Sequence, residues 1–142
     1  MYGALRVRDG RAVTLTAASR NTAGYLRLLE AIARANPAGH LYLIGDNLSS
    51  HKSPLIMAWL ADHPRVHQVF IPVGACWLNL QEAWWRLFRR EAVAGQTFVD
   101  ADEIHHATRV ATAQLNRRAK PWVWNRPPKS PRYRRRVFVY SL

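Results

Sequence analysis

The run Leu41-Tyr42-Leu43-Ile44 stops abruptly at Gly45-Asp46-Asn47, with His51 five residues after the aspartate. Four apolar residues are too few for a helix and read as a buried strand. A carboxylate at the end of such a strand lies where open α/β sheets keep their sites. Asp46-Asn47 also suits the start of a turn, a common use of Asp and Asn, so the segment alone leaves both readings open.

The rest of the chain supplies the partners such a strand needs. Tyr2–Arg8 and Arg11–Ala17 flank Asp9-Gly10, a strong hairpin signal. Asn21 or Thr22 can cap a helix over Ala23–Ala35 with Tyr25, Leu28, Leu29 and Ile32 on one face, and Asn36-Pro37 stops it. A second helix opens at Ser53-Pro54, with proline in its first turn, and ends before His63-Pro64. Val66–Ile71 reads as a further strand, broken by Pro72-Val73-Gly74. A long helix is expected from Trp77 to Ala94, stopped by Gly95. Asp100 and Glu103 have capping-box spacing for a last helix, with Ile104, Ala107, Thr108, Ala111 and Leu115 as its inner stripe. Strands alternating with helices after a hairpin predict an α/β fold with a mixed sheet.

The chain has 142 residues, enough for one domain with a core, and a net charge of +12. That imbalance points to nucleic acid first and to an anionic membrane surface second. The single Cys76 has no partner for an internal disulfide, so a reducing cytoplasm is the expected compartment. No apolar segment follows Met1 as in a signal peptide, and no uncharged run is long enough to span a bilayer.

A second acid lies in "CWLNLQEAWWRLFRR". One helical face there would carry Leu78, Asn79, Glu82, Trp85, Arg86 and Arg89, with Trp77, Trp84, Leu87 and Phe88 on the apolar side. Glu82 alone is accounted for by an i, i+4 pair with Arg86. Taken with Asp46 it says more. Two carboxylates from separate elements resist joint ionisation unless a cation lies between them. Oxygen ligands with few His or Cys favour Mg²⁺ or Mn²⁺. In basic surroundings such a pair suits phosphodiester chemistry with two metal ions.

From Arg117 the texture changes. Arg117, Arg118, Lys120, Arg126, Lys129, Arg132, Arg134, Arg135 and Arg136 are basic, prolines and aromatic residues interleave, and no acid follows Glu103. Residues 117–142 therefore read as a basic tail following a domain of 1–116. Trp122 and Trp124 suit either core packing or stacking on bases. Cys76 reads as a packed residue, and the adjacent His105-His106 do not share a helix face as metal ligands would.

The ordered blocks "DNLSSH" (Asp46, Asn47, His51), "WLNLQE" (Asn79, Glu82), "RR" (Arg89, Arg90) and "LNRRAKPWVW" resemble the catalytic domain of DDE-type transposases of bacterial insertion sequences, in the mariner-related group. The resemblance implies an RNase H-like mixed sheet flanked by helices. It implies that Asp46 and Glu82 are the second and third acids of a metal-binding triad, with Asn47, His51 and Asn79 in support, and that DNA is the substrate. In that group the first acid lies on a strand preceding the hairpin. Here only Asp9 lies upstream, in a turn context. The expectation is thus a C-terminal, truncated part of the domain that lacks its first, central strand. Its Mg²⁺ or Mn²⁺ site would be incomplete and inactive alone, unless an upstream transposase polypeptide or a homo-oligomer completes it. A cytoplasmic, nucleoid-associated location follows, with no membrane. The alternatives are a non-catalytic nucleic-acid-binding protein working through the tail, or an inert remnant.

Overall fold

A computed structural model describes residues 1–72, 79–122 and 137–142. Its strands are β1 (Tyr2–Arg6), β2 (Ala12–Leu15), β3 (His40–Gly45), β4 (Val66–Phe70) and β5 (Val137–Ser141). Its helices are α1 (Thr22–Ala35), α2 (Pro54–Asp62), α3 (Gln81–Ala92) and α4 (Ala101–Arg117), with a 3-10 turn at Ser49–Lys52. The strands form one mixed sheet in the order β2-β1-β5-β3-β4, the α/β architecture read from the alternation of strands and helices.

The hairpin forms where Asp9-Gly10 placed it. β1 and β2 pair antiparallel from Tyr2↔Leu15 to Leu5↔Ala12. Both strands are shorter than the apolar runs, because Arg6 N–H already bonds to Arg11 O and closes the turn. Gly10 holds a φ of 74°, a conformation that costs other residues a steric penalty.

The centre of the sheet departs from expectation. The sequence led us to expect a sheet without its central strand, yet that place is filled by β5, from the segment read as a tail. β5 runs parallel to β3 over five positions, His40↔Val137 to Ile44↔Ser141. It runs antiparallel to β1 at two, Leu5↔Ser141 and Arg6↔Tyr140. The physical reason is hydrogen bonding. β1 and β3 each turn one edge toward the sheet centre, and buried N–H and C=O groups left unpaired there would cost roughly 1–3 kcal/mol each.

Side chains fix β5 in register as well. Tyr140 is buried, and its hydroxyl bonds to the side-chain amide of Asn36, itself buried at the end of α1. The same Asn36 donates to Ile32 O at 2.8 Å and accepts from Arg6 at 3.0 Å. Asn36 was read from sequence as a helix stop, and it is also the polar key that seats the last strand.

Helices cover both faces of the sheet. On one face, Tyr25, Leu28, Leu29 and Ile32 of α1 and Ile56 of α2 pack on Ala4, Leu41, Leu43, Val66 and Tyr140. On the other, Trp84, Phe88 and Ala92 of α3 and Ala111 and Leu115 of α4 pack on Leu5 and Ala12. Two predicted core positions are exposed: Ile104 on α4, and Leu87 on α3, where Trp85 turns inward instead. The helix expected from Trp77 begins only at Gln81; residues 73–78 lie outside the described residues. Asn79 is not helical because its side-chain carbonyl accepts from Gln81 N–H at 3.1 Å, a turn that sets the helix start two residues later.

α1 is capped by Asn21, whose side chain accepts from Gly24 N–H at 2.8 Å. The Tyr2 ring lies against Gly24 so closely that an added Cβ would meet it at 2.5 Å. Replacing a helical glycine by alanine ordinarily stabilises by about 1 kcal/mol. Gly24→Ala should do the reverse and destabilise by about 1–3 kcal/mol through overpacking, read as a lower urea midpoint with an unchanged slope.

Candidate active site

Asp46 follows the last residue of β3, and its side chain is about half exposed at 51%. The 3-10 turn brings His51 back under the strand end. There the imidazole is buried, with Nδ1 3.2 Å from the Asp46 main-chain oxygen and 3.3 Å from its carboxylate. A proton on Nδ1 satisfies both contacts. The ring stacks on Tyr25, centroids 3.9 Å apart. Burial lowers the His51 pKa below its ordinary value, and the opposing pull of Asp46 is the smaller effect. His51 is therefore neutral at neutral pH and orients the carboxylate as a hydrogen-bond donor. Burial also pushes the Tyr25 hydroxyl well above the usual phenol range, so it stays protonated; Gln68 donates to it at 2.6 Å.

Glu82 lies in the first turn of α3 and is exposed. A carboxylate there is favoured by the free N–H groups of the helix start. Asn79 fixes that start from the other side. Its amide donates to Leu142 O at 2.7 Å, while its carbonyl accepts from Gln81 N–H and from the Ser141 hydroxyl. One side chain thus ties the end of the central strand to the helix that carries Glu82.

Asp46 and Glu82 line the same cleft, of about 180 Å³, together with His51, Asn79 and Leu142. Its other walls include Tyr2, Tyr25 and Trp85, and among the described residues it is lined by the side chain of Arg20 as well. Arg20, Tyr25 and Leu142 were not read from the sequence as site residues. Arg20 precedes the α1 cap and Tyr25 was read as core; only the fold brings them to the acids. Asn47 is exposed beside Asp46 and does not line the cleft.

The predicted basic residues scatter. Arg86 and Arg89 are exposed on α3, and Arg117 is exposed at the end of α4. Arg90, Arg118 and Lys120 surround a different cavity of about 320 Å³ at the Gly10 turn, the far end of β1 from the cleft. Arg118 is paired there with Glu91 at 2.5 Å. Arg126, Lys129, Arg132, Arg134, Arg135 and Arg136 lie outside the described residues.

A larger cavity of about 710 Å³ between α3 and α4 carries Glu91, Asp100, Asp102 and Glu103. Three of these acids have structural work: Asp100 caps α4, Glu103 accepts from Val99 N–H, and Glu91 pairs with Arg118. In the smaller cleft, by contrast, two carboxylates arrive from separate elements. Among the described residues no three His, Cys, Asp or Glu side chains gather as a metal-binding group. The cleft offers two oxygen donors, both open to water, and that donor set suits a hard cation which keeps several water ligands.

The His51 arrangement predicts a pH dependence. With its folded pKa held below the ordinary 6.5, its contribution to stability is complete above 6.5 and is lost as pH falls through that value toward the lower folded one. Urea midpoints measured from about pH 7.5 down to about pH 5 should fall for the unaltered chain, and more shallowly for His51→Gln.

Comparison with known proteins agrees with the fold. An insertion element protein of Shigella sonnei, described as the IS630 uncharacterized 39 kDa protein, is 31% identical over 87 residues. The similarity covers 61% of this chain and 25% of that protein, so the chain spans well under half the length of the relative it matches. Residues 1–105, which hold both acids and every element from β1 to α3, match the DDE superfamily endonuclease family. DDE superfamily endonucleases are in general divalent-metal-dependent nucleases acting on DNA. With that match spanning most of its length, the chain belongs to the DDE superfamily endonucleases.

Proposed function

We propose that the chain is part of a DDE-type insertion-sequence transposase and that its cleft serves metal-dependent cleavage and transfer of DNA strands. The observation that carries the reading is the meeting of Asp46 and Glu82, from a strand end and a helix start, in one cleft. Mg²⁺ or Mn²⁺ held by these two carboxylates would activate the attacking oxygen and steady the leaving one. The chain's own residues do the rest. His51 holds the Asp46 carboxylate in place by donating to it. Asn79 fixes the first turn of α3 and so the direction of Glu82. Arg20 faces a DNA phosphate at the rim, where its charge offsets that of the backbone. Asn47 lies beside Asp46, in reach of substrate rather than of the cleft wall.

Two carboxylates hold an ion less firmly than three, so the chain alone is a weak nuclease. A strand carrying a further acid, from an upstream transposase polypeptide or a second copy, would complete the site. The protein acts on DNA in the cytoplasm, at the nucleoid; among the described residues no helix is long and apolar enough to cross a membrane. A non-catalytic DNA-binding role is the second reading, and the net charge of +12 favours it.

Two measurements test these readings. With Mn²⁺, nicking of supercoiled DNA by the chain alone should be slow, and Asp46→Asn or Glu82→Gln should reduce it to background. Nicking that survives both substitutions would remove the cleft from the chemistry. Duplex binding should weaken with salt, log K falling against log[salt] by about 0.9 for each phosphate contacted. Replacing Arg132, Arg134, Arg135 and Arg136 by alanine should flatten that slope if the basic tail grips DNA. An unchanged slope would move the contacts to Arg86, Arg89 and Arg90.

A further inference from the structure

The side chains of β3 divide between the two faces of the sheet, as a strand's period of two requires. Leu41 and Leu43 are buried in the cluster under α1. His40 and Tyr42 point the other way and are exposed. Among the described residues, the cluster under α3 and α4 lies on Leu5 and Ala12 and includes no residue of β3 or β4. β4 runs parallel to β3, with His67 directly opposite Tyr42. His67 therefore stands on the same open face. Its ring centre is 4.8 Å from that of Tyr42 and 5.1 Å from that of His40.

The two imidazoles meet nitrogen to nitrogen. His40 Nδ1 lies 2.9 Å from His67 Nε2, and one ring donates to the other. With the planes only 22° apart and the centres 5.1 Å apart, nitrogens this close mean that the rings meet edge to edge. Two nitrogen lone pairs then converge on one proton, a place that a cation can take instead. Metal–imidazole bonds of about 2.0–2.1 Å put two nitrogens on one ion from about 2.9 Å apart at a right angle to about 4.1 Å in line. The pair already stands at the near end of that range. Tyr42 packs against the His67 ring and orients it, while the exposed His40 ring is free to turn its lone pair onto an ion. Asp46 lies six residues on from His40, about 20 Å along the strand, so this pair is remote from the cleft.

We propose that His40 and His67 form a second cation site, for a late first-row divalent ion of the Ni²⁺, Cu²⁺ and Zn²⁺ class, separate from the cleft in place and in ligand type. Imidazole nitrogen suits these ions, whereas carboxylate oxygen suits Mg²⁺ and Mn²⁺. The ion replaces the shared proton, which leaves to solvent. Two nitrogens hold it and water fills its remaining positions, which the open face allows. Because the ligands come from neighbouring strands, the bound ion ties β3 to β4 beyond the backbone ladder. β4 is the edge strand of the sheet, so the tie fastens an edge to the strand that ends at Asp46. The site stands whether or not the cleft binds metal.

Calorimetric titration of the whole chain with Ni²⁺, in excess Mg²⁺ to occupy oxygen sites, tests the proposal. It should show saturable binding whose affinity falls at least about tenfold in His40→Asn and likewise in His67→Asn, since losing either ligand removes the chelate. Replacing His105 and His106 together by asparagine should leave that affinity unchanged. Ni²⁺ should also raise the urea midpoint of the unaltered chain, by mass action on the folded state, and raise that of neither single variant. Electron paramagnetic resonance with one equivalent of Cu²⁺ should show coupling to two nitrogens in the unaltered chain and to one in either variant. Cys76 is present throughout, so any thiol contribution is common to all. Affinity that survives loss of His40 or His67, or that is lost with His105 and His106 instead, would overturn the proposal. So would a copper spectrum without two nitrogen ligands, a measurement on the unaltered chain that decides the matter even where a variant fails to fold.

Discussion

A strand edge buried without a partner is among the most costly features a fold can carry, and this sheet has two such edges facing one another. β1 and β3 are each paired on their outer side, by β2 and β4. Their inner sides meet only through β5. Remove that strand and the sheet falls into an antiparallel hairpin and a parallel pair, and a two-stranded unit is marginal in water by itself. The two hydrophobic clusters divide by face rather than along this line. The cluster under α1 reaches from Ala4 of β1 to Leu41 and Leu43 of β3 and Val66 of β4, with Tyr140 of β5 among them, while the other lies on Leu5 and Ala12 of the hairpin. The joining of the halves thus rests on backbone bonds to β5, on the polar knot of Asn36, Tyr140 and Arg6, and on the apolar cover of α1.

The site inherits this dependence. Asp46 ends β3, in one half; Glu82 is on α3, which packs on the other half. Leu142 at the end of β5 lines their common cleft, and Asn79 ties that strand end to the start of α3 through bonds to Ser141 and Leu142. His51 and Tyr25 serve Asp46 from the α1 side, where stacking and burial keep the imidazole neutral.

Much of this was legible in the sequence because it is local. Asp9-Gly10 specifies a hairpin by turn chemistry, Asn21 and Asp100 cap their helices by side-chain bonds, and the period of Tyr25, Leu28, Leu29 and Ile32 marks a buried face. Asp46 and Glu82 stood out because acids next to apolar runs are conspicuous. What was not legible is non-local. Val137–Ser141 follows a basic stretch and looks like its continuation, and nothing near it in sequence states that its partners are β1 and β3. Arg20 and Leu142 carry no signal of a site until the fold sets them beside the acids. The helix start at Gln81 was read too early because the i, i+4 pattern continues through Asn79, whose side chain breaks it by bonding to the main chain.

The place of β5 also has a consequence in time. During synthesis β1, β2, β3 and β4 emerge well before the strand that joins them, since nearly the whole chain separates Leu5 from Ser141. Contacts this far apart in sequence close slowly, after a large loss of chain entropy. Until then the nascent protein displays two open strand edges, the geometry on which intermolecular β-pairing grows. A ribosome that stalls or terminates before residue 137 would release a chain with the hairpin, the β3–β4 pair and most of both clusters, but without the strand that closes them. Such a product would be prone to aggregate although its local structure is intact. Completeness of translation is therefore itself a requirement for solubility in this fold.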